Sequence, residues 1–168
     1  MDFSPFIICE PDQRTPRPRP INTPEGLGDR MRTAAFAELQ AIEAFRWAVD
    51  HFQDVPQALR DDWAAQIPDE IRHYEMICRR MDELGFELTD RPVSTSLWES
   101  LEECTSGEEF CIRIASAEER GRRAGVRLAQ YLGKTDPETT AVFREIADDE
   151  VAHVALAKTY FGWTPDRG

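Results

Sequence analysis

Apolar residues recur at intervals of three and four through most of the chain after residue 22, a pattern that predicts long amphipathic helices. The first predicted helix begins in the sequence NTPEG, with Thr23 as N-cap and Pro24 at the first helical position. Its apolar stripe continues to Phe52 and is interrupted near the middle by one carboxylate, Glu38.

A second helix is predicted from about Pro56 to Leu84, and Gly85 follows it as a C-terminal cap. Pro68 lies inside this helix. Because proline removes one backbone hydrogen bond and crowds the preceding turn, we expect a kink or bulge just before Glu70.

Two further helices are predicted in the second half of the chain. The third spans about Gly107 to Tyr131, and the fourth follows the N-cap Asp136 and continues to Tyr160. Residues 85–106 form a long connection that contains a candidate short helix, SLWESLEEC. Two helices on each side of one long connection predict an all-α four-helix bundle with a crossover between its second and third helices.

The predicted domain organisation is an extended arm at 1–23, a bundle at 24–163 and a tail at 164–168. The arm is rich in proline, which favours an extended segment that is either mobile or laid across the domain surface. The N-terminus lacks the pattern of a secretory signal, and the four cysteines show no CxxC spacing. These features predict a cytoplasmic protein with free thiols.

The acidic balance of the chain limits the partners to be expected. The formal net charge is −12 and the isoelectric point is about 4.7. Such a charge opposes binding to nucleic acid phosphates or to an anionic membrane surface. No apolar run approaches the roughly 20 residues that a membrane-spanning helix needs.

Two short motifs, DEIRH at 69–73 and DEVAH at 149–153, carry the candidate chemistry. Each places a Glu three residues before a His, giving the pairs Glu70/His73 and Glu150/His153. Three residues are nearly one helical turn, so both members of a pair share a helix face. Both pairs fall on the apolar stripes of their helices, where unpaired polar groups are not expected.

One inward-facing Glu precedes each motif by 32 residues: Glu38 precedes Glu70, and Glu118 precedes Glu150. This equal spacing indicates a duplicated unit of one helix with a lone Glu and one helix with Glu-x-x-His. Glu43 and Glu119 are competing candidates for the lone-Glu positions. Helical geometry turns Glu43 about 140° and Glu119 about 100° away from the stripe.

Four carboxylates in a dry core require compensating positive charge. Two divalent cations would balance them, because neutral imidazoles add no charge. A ligand set of carboxylates and imidazoles without thiolate suits iron or manganese better than structural zinc. The candidate metal ligands are Glu38, Glu70, His73, Glu118, Glu150 and His153, and the candidate cofactor is a pair of divalent ions, iron or alternatively manganese.

This ligand pattern resembles that of the ferritin-like superfamily of di-iron carboxylate proteins. The sequences TPEG…AELQAIEAF, DEIRHYEM, AEERG and DEVAHVALAKTYF are similar to one branch of that superfamily, a domain of unknown function. The resemblance covers roughly residues 22–163 and implies the ferritin-like bundle. In that branch a His often stands two residues before the first Glu, where this chain has Phe36.

The Asp before each Glu is also part of the resemblance, which here extends to di-iron oxygenases and hydroxylases. In those proteins the Asp of one motif holds the ligand His of the other, because a ligand imidazole must donate its second N–H. The resemblance implies that Asp69 supports His153 and that Asp149 supports His73. We expect the two Asp to be buried, with Arg72 as a candidate to neutralise them, and Ala152 occupies the equivalent position in the second motif.

The resemblance implies two classes of function. One is an oxidoreductase in which the metal pair activates O2 and oxidises a small organic substrate, with an external electron donor. The alternative is a ferroxidase and iron-storage protein or a peroxide-scavenging protein. The residue after Glu70 is Ile71 rather than the haem-ligating Met of bacterioferritin-like chains. An enzyme is expected as a monomer or homodimer, and a storage protein as a large cage.

Overall fold

Five α-helices make up the regular structure of the computed structural model, which describes residues 2–10 and 13–165. An isolated parallel bridge joins Ile8 to Val93, and no β-strand forms within those residues. The prediction of an all-α chain is confirmed. The helices are α1 Pro24–His51, α2 Gln57–Leu84, α3 Ser96–Glu102, α4 Gly107–Leu132 and α5 Pro137–Phe161.

The helix ends follow the capping residues seen in the sequence. The Thr23 hydroxyl accepts a hydrogen bond from the Gly26 N–H at 3.0 Å at the start of α1. The Asp136 carboxylate accepts one from the Thr139 N–H at 3.0 Å at the start of α5. Gly85 ends α2 with a φ of 70°, a left-handed conformation that L residues rarely adopt.

Of the kink or bulge expected before Glu70, the bulge is wrong, because α2 continues as an unbroken α-helix through Pro68. Pro68 is exposed, and so is Ala64, whose carbonyl loses its usual partner at position 68. Water can therefore satisfy that carbonyl, and the helix has no need to rearrange.

The four long helices pack as two pairs. α1 lies along α2 and α4 lies along α5, while α2 meets α5 and α1 meets α4. The short α3 belongs to the long connection and contacts α1 and α4. This arrangement is compatible with the predicted four-helix bundle.

The segment before α1 lies against the helices. Phe3 and Phe6 are buried, with ring centroids 5.3 and 4.9 Å from that of Phe36. The Arg19 guanidinium binds the buried Asp29 carboxylate at 2.6 Å. Phe36, which stands where the similar branch often has a His, is thus covered by the N-terminal residues. The predicted tail at 164–168 lies outside the described residues beyond position 165.

In the described part of the chain, every helix is too short or too polar to traverse a lipid bilayer. All four cysteines are free, as the sequence predicted.

Candidate metal centre

The six side chains singled out in the sequence converge at one place between the four long helices. Two helices contribute one Glu each, and two contribute a Glu and a His from successive turns. The residues are Glu38 on α1, Glu70 and His73 on α2, Glu118 on α4, and Glu150 and His153 on α5.

The six residues form two overlapping groups, each with ligand atoms within 4.8 Å of one another. Glu38 and His73 belong to one group, and Glu118 and His153 belong to the other. Glu70 and Glu150 belong to both. Each group therefore offers three carboxylates and one imidazole, a donor set suited to a divalent transition-metal ion.

Both imidazoles turn the same nitrogen toward the carboxylates. The His153 Nδ1 lies 2.9 Å from a Glu70 oxygen, and the His73 Nδ1 lies 3.4 Å from a Glu150 oxygen. The ring centroids of His73 and His153 are 6.0 Å apart. The Nε2 atoms point the other way, toward the Asp residues of the two motifs.

Buried polar atoms at the centre lack hydrogen-bond partners among the described residues. They include both carboxylate oxygens of Glu70, one oxygen each of Glu118 and Glu150, and the Nδ1 of His73 and of His153. Glu70 is 1% and His73 0% exposed, so water cannot compensate freely. These oxygen and nitrogen atoms lie close together but are not aligned for hydrogen bonds. They therefore face a common space, as metal ligands do.

The carboxyl groups of the cluster differ in their affinity for protons. Burial, and then the neighbouring carboxylates, raise the pKa of Glu38 and of Glu118 well above the usual range. Burial also tends to raise the pKa of Glu150, but His153 and His73 outweigh this and lower it. The lone Glu residues therefore favour protonation in the absence of cations.

The pKa values of both imidazoles are also raised, although burial acts on them in the opposite direction. Burial by itself lowers the pKa of His153, but contacts with Glu150 and Glu70 outweigh it and raise the pKa to about 11. Burial likewise lowers the pKa of His73, and the carboxylates of Glu150 and Glu70 again reverse the effect. The cluster thus attracts positive charge, which either protons or metal cations can supply.

Asp149 supports His73 as the resemblance implied. Its Oδ2 lies 3.2 Å from the His73 Nε2 and 2.7 Å from a nitrogen of Arg72. Burial tends to raise the pKa of Asp149, but Arg72 and His73 lower it below its usual value. Asp149 is therefore an ionised acceptor for the imidazole N–H.

The support of His153 by Asp69 is weaker than that of His73 by Asp149. The Asp69 Oδ2 lies 3.6 Å from the His153 Nε2, which is beyond hydrogen-bond distance. Arg72 contacts Asp69 at 3.2 Å and so touches both Asp residues. The expectation that the Asp pair is buried is wrong, because the side chains of Asp69 and Asp149 are 46% and 35% exposed.

Glu145 is a residue that the sequence reading missed. It lies one turn before Asp149 on α5 and binds Arg72 at 2.9 Å. The spacing of four residues from Asp149 is the signal that could have found it, because both carboxylates lie on one side of α5.

The competing carboxylates lie outside the cluster. Glu43 pairs with Arg46 at 2.6 Å on the outer side of α1. Glu119 is buried but forms ion pairs with Arg122 and Arg123. Helical geometry therefore assigned both competitors to the correct faces of their helices.

A cavity of about 510 Å³ lies between α1 and α4 and reaches the cluster. Its inner lining includes carboxylates of the cluster but neither His. It opens to solvent along α4, where the lining residues Gly121, Ala124, Arg127 and Tyr131 are exposed. Its walls are mainly apolar and include several small residues, among them Ala34, Ala37, Ala41, Ala117, Gly121 and Gly125.

The model of one protein family, described as Protein of unknown function (DUF455), matches residues 4–167. The match spans nearly the whole chain, and the chain belongs to this family. No curated protein and no solved structure matches the chain.

Proposed function

We propose that this member of the DUF455 family is a ferritin-like four-helix-bundle protein with a dinuclear metal site, and that it oxidises a small organic substrate with O2. The observation that carries the proposal is the buried cluster of four Glu and two His, whose donor atoms lie in two overlapping groups. Iron is the expected metal and manganese the alternative.

The charge of the donor set supports two divalent ions. Glu38, Glu70, Glu118 and Glu150 bring four negative charges when ionised, and the two imidazoles bring none when neutral. Two divalent cations would neutralise the set without protons. Metal binding should therefore displace protons from the lone Glu residues and from the imidazoles, which the neighbouring carboxylates make basic.

The chain's residues take distinct roles in this proposal. Glu38 and His73 would hold one ion, and Glu118 and His153 the other. Glu70 and Glu150 belong to both groups and would help to hold both ions. With its two ions bound, the site would supply O2 reduction chemistry.

The chain's outer residues would orient the ligands. Asp149 accepts the Nε2–H of His73, which fixes the tautomer that leaves Nδ1 free to bind metal. Arg72 holds Asp149 in place at 2.7 Å.

Hydroxylation would place one oxygen atom in the substrate and release the other as water, so an external donor must supply two electrons and two protons.

The cavity favours an enzyme over iron storage. A space of about 510 Å³ is within the roughly 300–1,000 Å³ range of small-molecule sites, and it ends at the carboxylates. A site that only oxidised iron would need a path for hydrated cations, whereas small apolar residues dominate these walls. Ferroxidase and peroxide-scavenging activities are the alternatives that the experiment must separate.

The test is metal analysis of purified protein, combined with ultraviolet–visible spectra before and after O2 is admitted. We expect about two metal ions per chain and a spectral change with O2. Glu70→Gln should lose most of the metal, because Glu70 is shared by both groups. The matched control is Glu75→Gln, which alters an exposed carboxylate on the same helix.

Fewer than one ion per chain in iron-replete protein, unchanged in Glu70→Gln, would contradict the dinuclear site. Release of protons on metal loading gives a second readout that does not need O2. A large hollow cage that takes up iron continuously would favour storage. Removal of peroxide without O2 consumption would favour scavenging.

A further inference from the structure

The entrance of the cavity between α1 and α4 is positively charged. Arg30, Arg122 and Arg127 contribute to its lining. Arg122 is paired with Glu119, but Arg127 forms no ion pair or hydrogen bond within residues 2–10 and 13–165. The charge of Arg127 is therefore not neutralised by a carboxylate of the described residues, although the chain as a whole carries a net charge of −12.

Arg30 is also without an acidic partner in the described residues. Its guanidinium donates to the carbonyls of Arg19 and Gly26 at 2.9 and 2.7 Å. These carbonyls fix the side chain in position and leave its charge uncompensated. Two arginines from different helices thus present positive charge to the same opening.

The opposite end of the cavity is acidic and lacks hydrogen bonds. Glu70 and Glu150 line it, are 1% and 4% exposed, and carry buried oxygens with no partner in the described part of the chain. The walls between the two ends are small and apolar, as at Ala37 and Gly121. The cavity therefore passes from a cationic opening through an apolar section to the candidate metal site.

Helix geometry gives the length of the apolar section. Arg30 precedes Glu38 by eight residues on α1, and Arg127 follows Glu118 by nine residues on α4. At a rise of 1.5 Å per residue, the Cα atoms of the arginines are about 12–14 Å from those of the Glu residues along the helix axes. Phe45 on α1 contacts Phe110 near the start of α4, so the two helices run antiparallel and both arginines lie at the same end.

We infer that the cavity binds an amphipathic organic anion, with its anionic group at Arg127 and Arg30 and an apolar body about 12 Å long that reaches toward the carboxylates. Calling this ligand the substrate rests on the proposed function; its binding does not. An anion placed the other way round would set its apolar end against Arg127 and Arg30 and leave both of their charges without a partner.

The test uses decanoate as an anionic probe and decan-1-ol as its uncharged counterpart, with binding measured by calorimetry on the metal-loaded protein without O2. We expect decanoate to bind about tenfold more tightly than decan-1-ol, because charged hydrogen bonds are stronger than neutral ones. Arg127→Gln, and more fully Arg30→Gln/Arg127→Gln, should remove that tenfold preference and leave decan-1-ol binding unchanged.

Arg120→Gln is the matched control for charge. Arg120 is exposed on the same helix, bonds only the Ser116 hydroxyl among the described residues, and does not line the cavity. It should leave both affinities unchanged. If the double variant binds decanoate as tightly as the wild type does, the inferred role of the two arginines is wrong.

Gly121→Leu tests the location of the apolar body. Gly121 lines the cavity on its exposed side, and a Cβ atom there would have no neighbour within 4 Å, so a larger side chain fits without displacing others. It should abolish binding of both probes. Gln130→Leu adds the same side chain at an exposed position of α4 outside the cavity and should not. Unchanged probe binding in Gly121→Leu would overturn the inference.

Metal content measured on the same samples separates the two proposals. If the protein holds two ions per chain and decanoate does not bind, the inferred ligand class is wrong and the metal site stands. If decanoate binds as described and the protein holds less than one ion, the proposed function is wrong and the ligand class stands.

Discussion

On the two sides of the Glu/His cluster, the space between α1 and α4 is filled in opposite ways. Phe45 is the seventh residue after Glu38, is 1% exposed, and packs against Phe110 with ring centroids 6.2 Å apart. The seventh residue after Glu118 is Gly125, which lines the cavity. Two halves with the same ligand spacing thus close one side of the site and open the other.

The two His supports differ in a parallel way. Asp149 lies 3.2 Å from the His73 Nε2, whereas Asp69 lies 3.6 Å from the His153 Nε2. Arg72 binds both carboxylates but lies nearer to Asp149, at 2.7 Å against 3.2 Å for Asp69, and Ala152 supplies no second arginine. A duplicated pattern therefore does not give two equivalent half-sites.

Removing Phe45 from the packed side of the cluster should lower the free energy of unfolding more than any other change considered below. Phe45→Ala deletes a buried ring and should lower the free energy of unfolding by about 3–5 kcal/mol. Tyr131→Ala, at an aromatic residue 53% exposed beside the cavity, should change it by less than about 0.5 kcal/mol. Chemical denaturation measures both. Equal losses would show that the two sides are packed alike.

Asp29 and Glu109 are 80 residues apart, as are the two Glu-x-x-His motifs, so they stand at equivalent positions in the two halves. Substituting each of them compares the halves directly. Asp29 is 5% exposed and binds Arg19, Arg32 and Arg91. Asp29→Asn should lower the free energy of unfolding by about 3 kcal/mol, because buried cations lose their partner. Glu109→Gln changes an exposed group, so we expect a much smaller loss. A comparable loss would contradict this reading.

The effect of Asp29→Asn should depend on pH. Burial tends to raise the pKa of Asp29, but the hydrogen bonds from Arg19 and Arg91 outweigh it and hold the pKa well below the usual range. The stabilisation is therefore fully present above the unfolded pKa of about 3.9 and is lost as pH falls through the lower folded pKa. Urea denaturation should show the two proteins converging below about pH 4; divergence in acid would contradict the prediction.

Exchanging each Asp for Asn compares the two His supports directly. Asp149→Asn should weaken metal binding by about 10–100-fold, because the His73 imidazole loses an ionised acceptor. Asp69→Asn should weaken it less, because Asp69 is beyond hydrogen-bond distance of His153. Competition with a chelator measures both affinities. A larger loss in Asp69→Asn would reverse the assigned asymmetry.

Gly125→Ala should have the smallest effect, and in the stabilising direction. The added Cβ would lie 3.5 Å from Phe143, an ordinary contact, and alanine favours the helix over glycine by up to about 1 kcal/mol. Gly85→Ala is the opposite control, because its φ of 70° disfavours any side chain. The midpoint temperature of thermal unfolding should rise for Gly125→Ala and fall for Gly85→Ala. A lower midpoint in both variants would indicate that Gly125 is needed for packing.

The sequence predicted which side chains meet at the centre better than it predicted their surroundings. Glu38 and Glu118 were selected over Glu43 and Glu119 by helical phase alone, and the structure gathers the selected pair into the cluster. The bulge at Pro68 was predicted wrongly, because exposure of the freed carbonyl depends on which side of α2 faces water. Glu145 was missed because its link to Arg72 crosses between helices.

The repeated spacing of 32 residues and the 3.6-residue period by themselves determined the helices and the six side chains that share their inner faces. These follow from local geometry, which one helix carries without its neighbours. The tertiary structure decided that Glu70 and Glu150 are shared, that Arg72 favours Asp149, and that the small residues of α1 and α4 leave a cavity. Each of these depends on how closely separate helices approach, a distance that arises only when side chains from distant parts of the chain pack together.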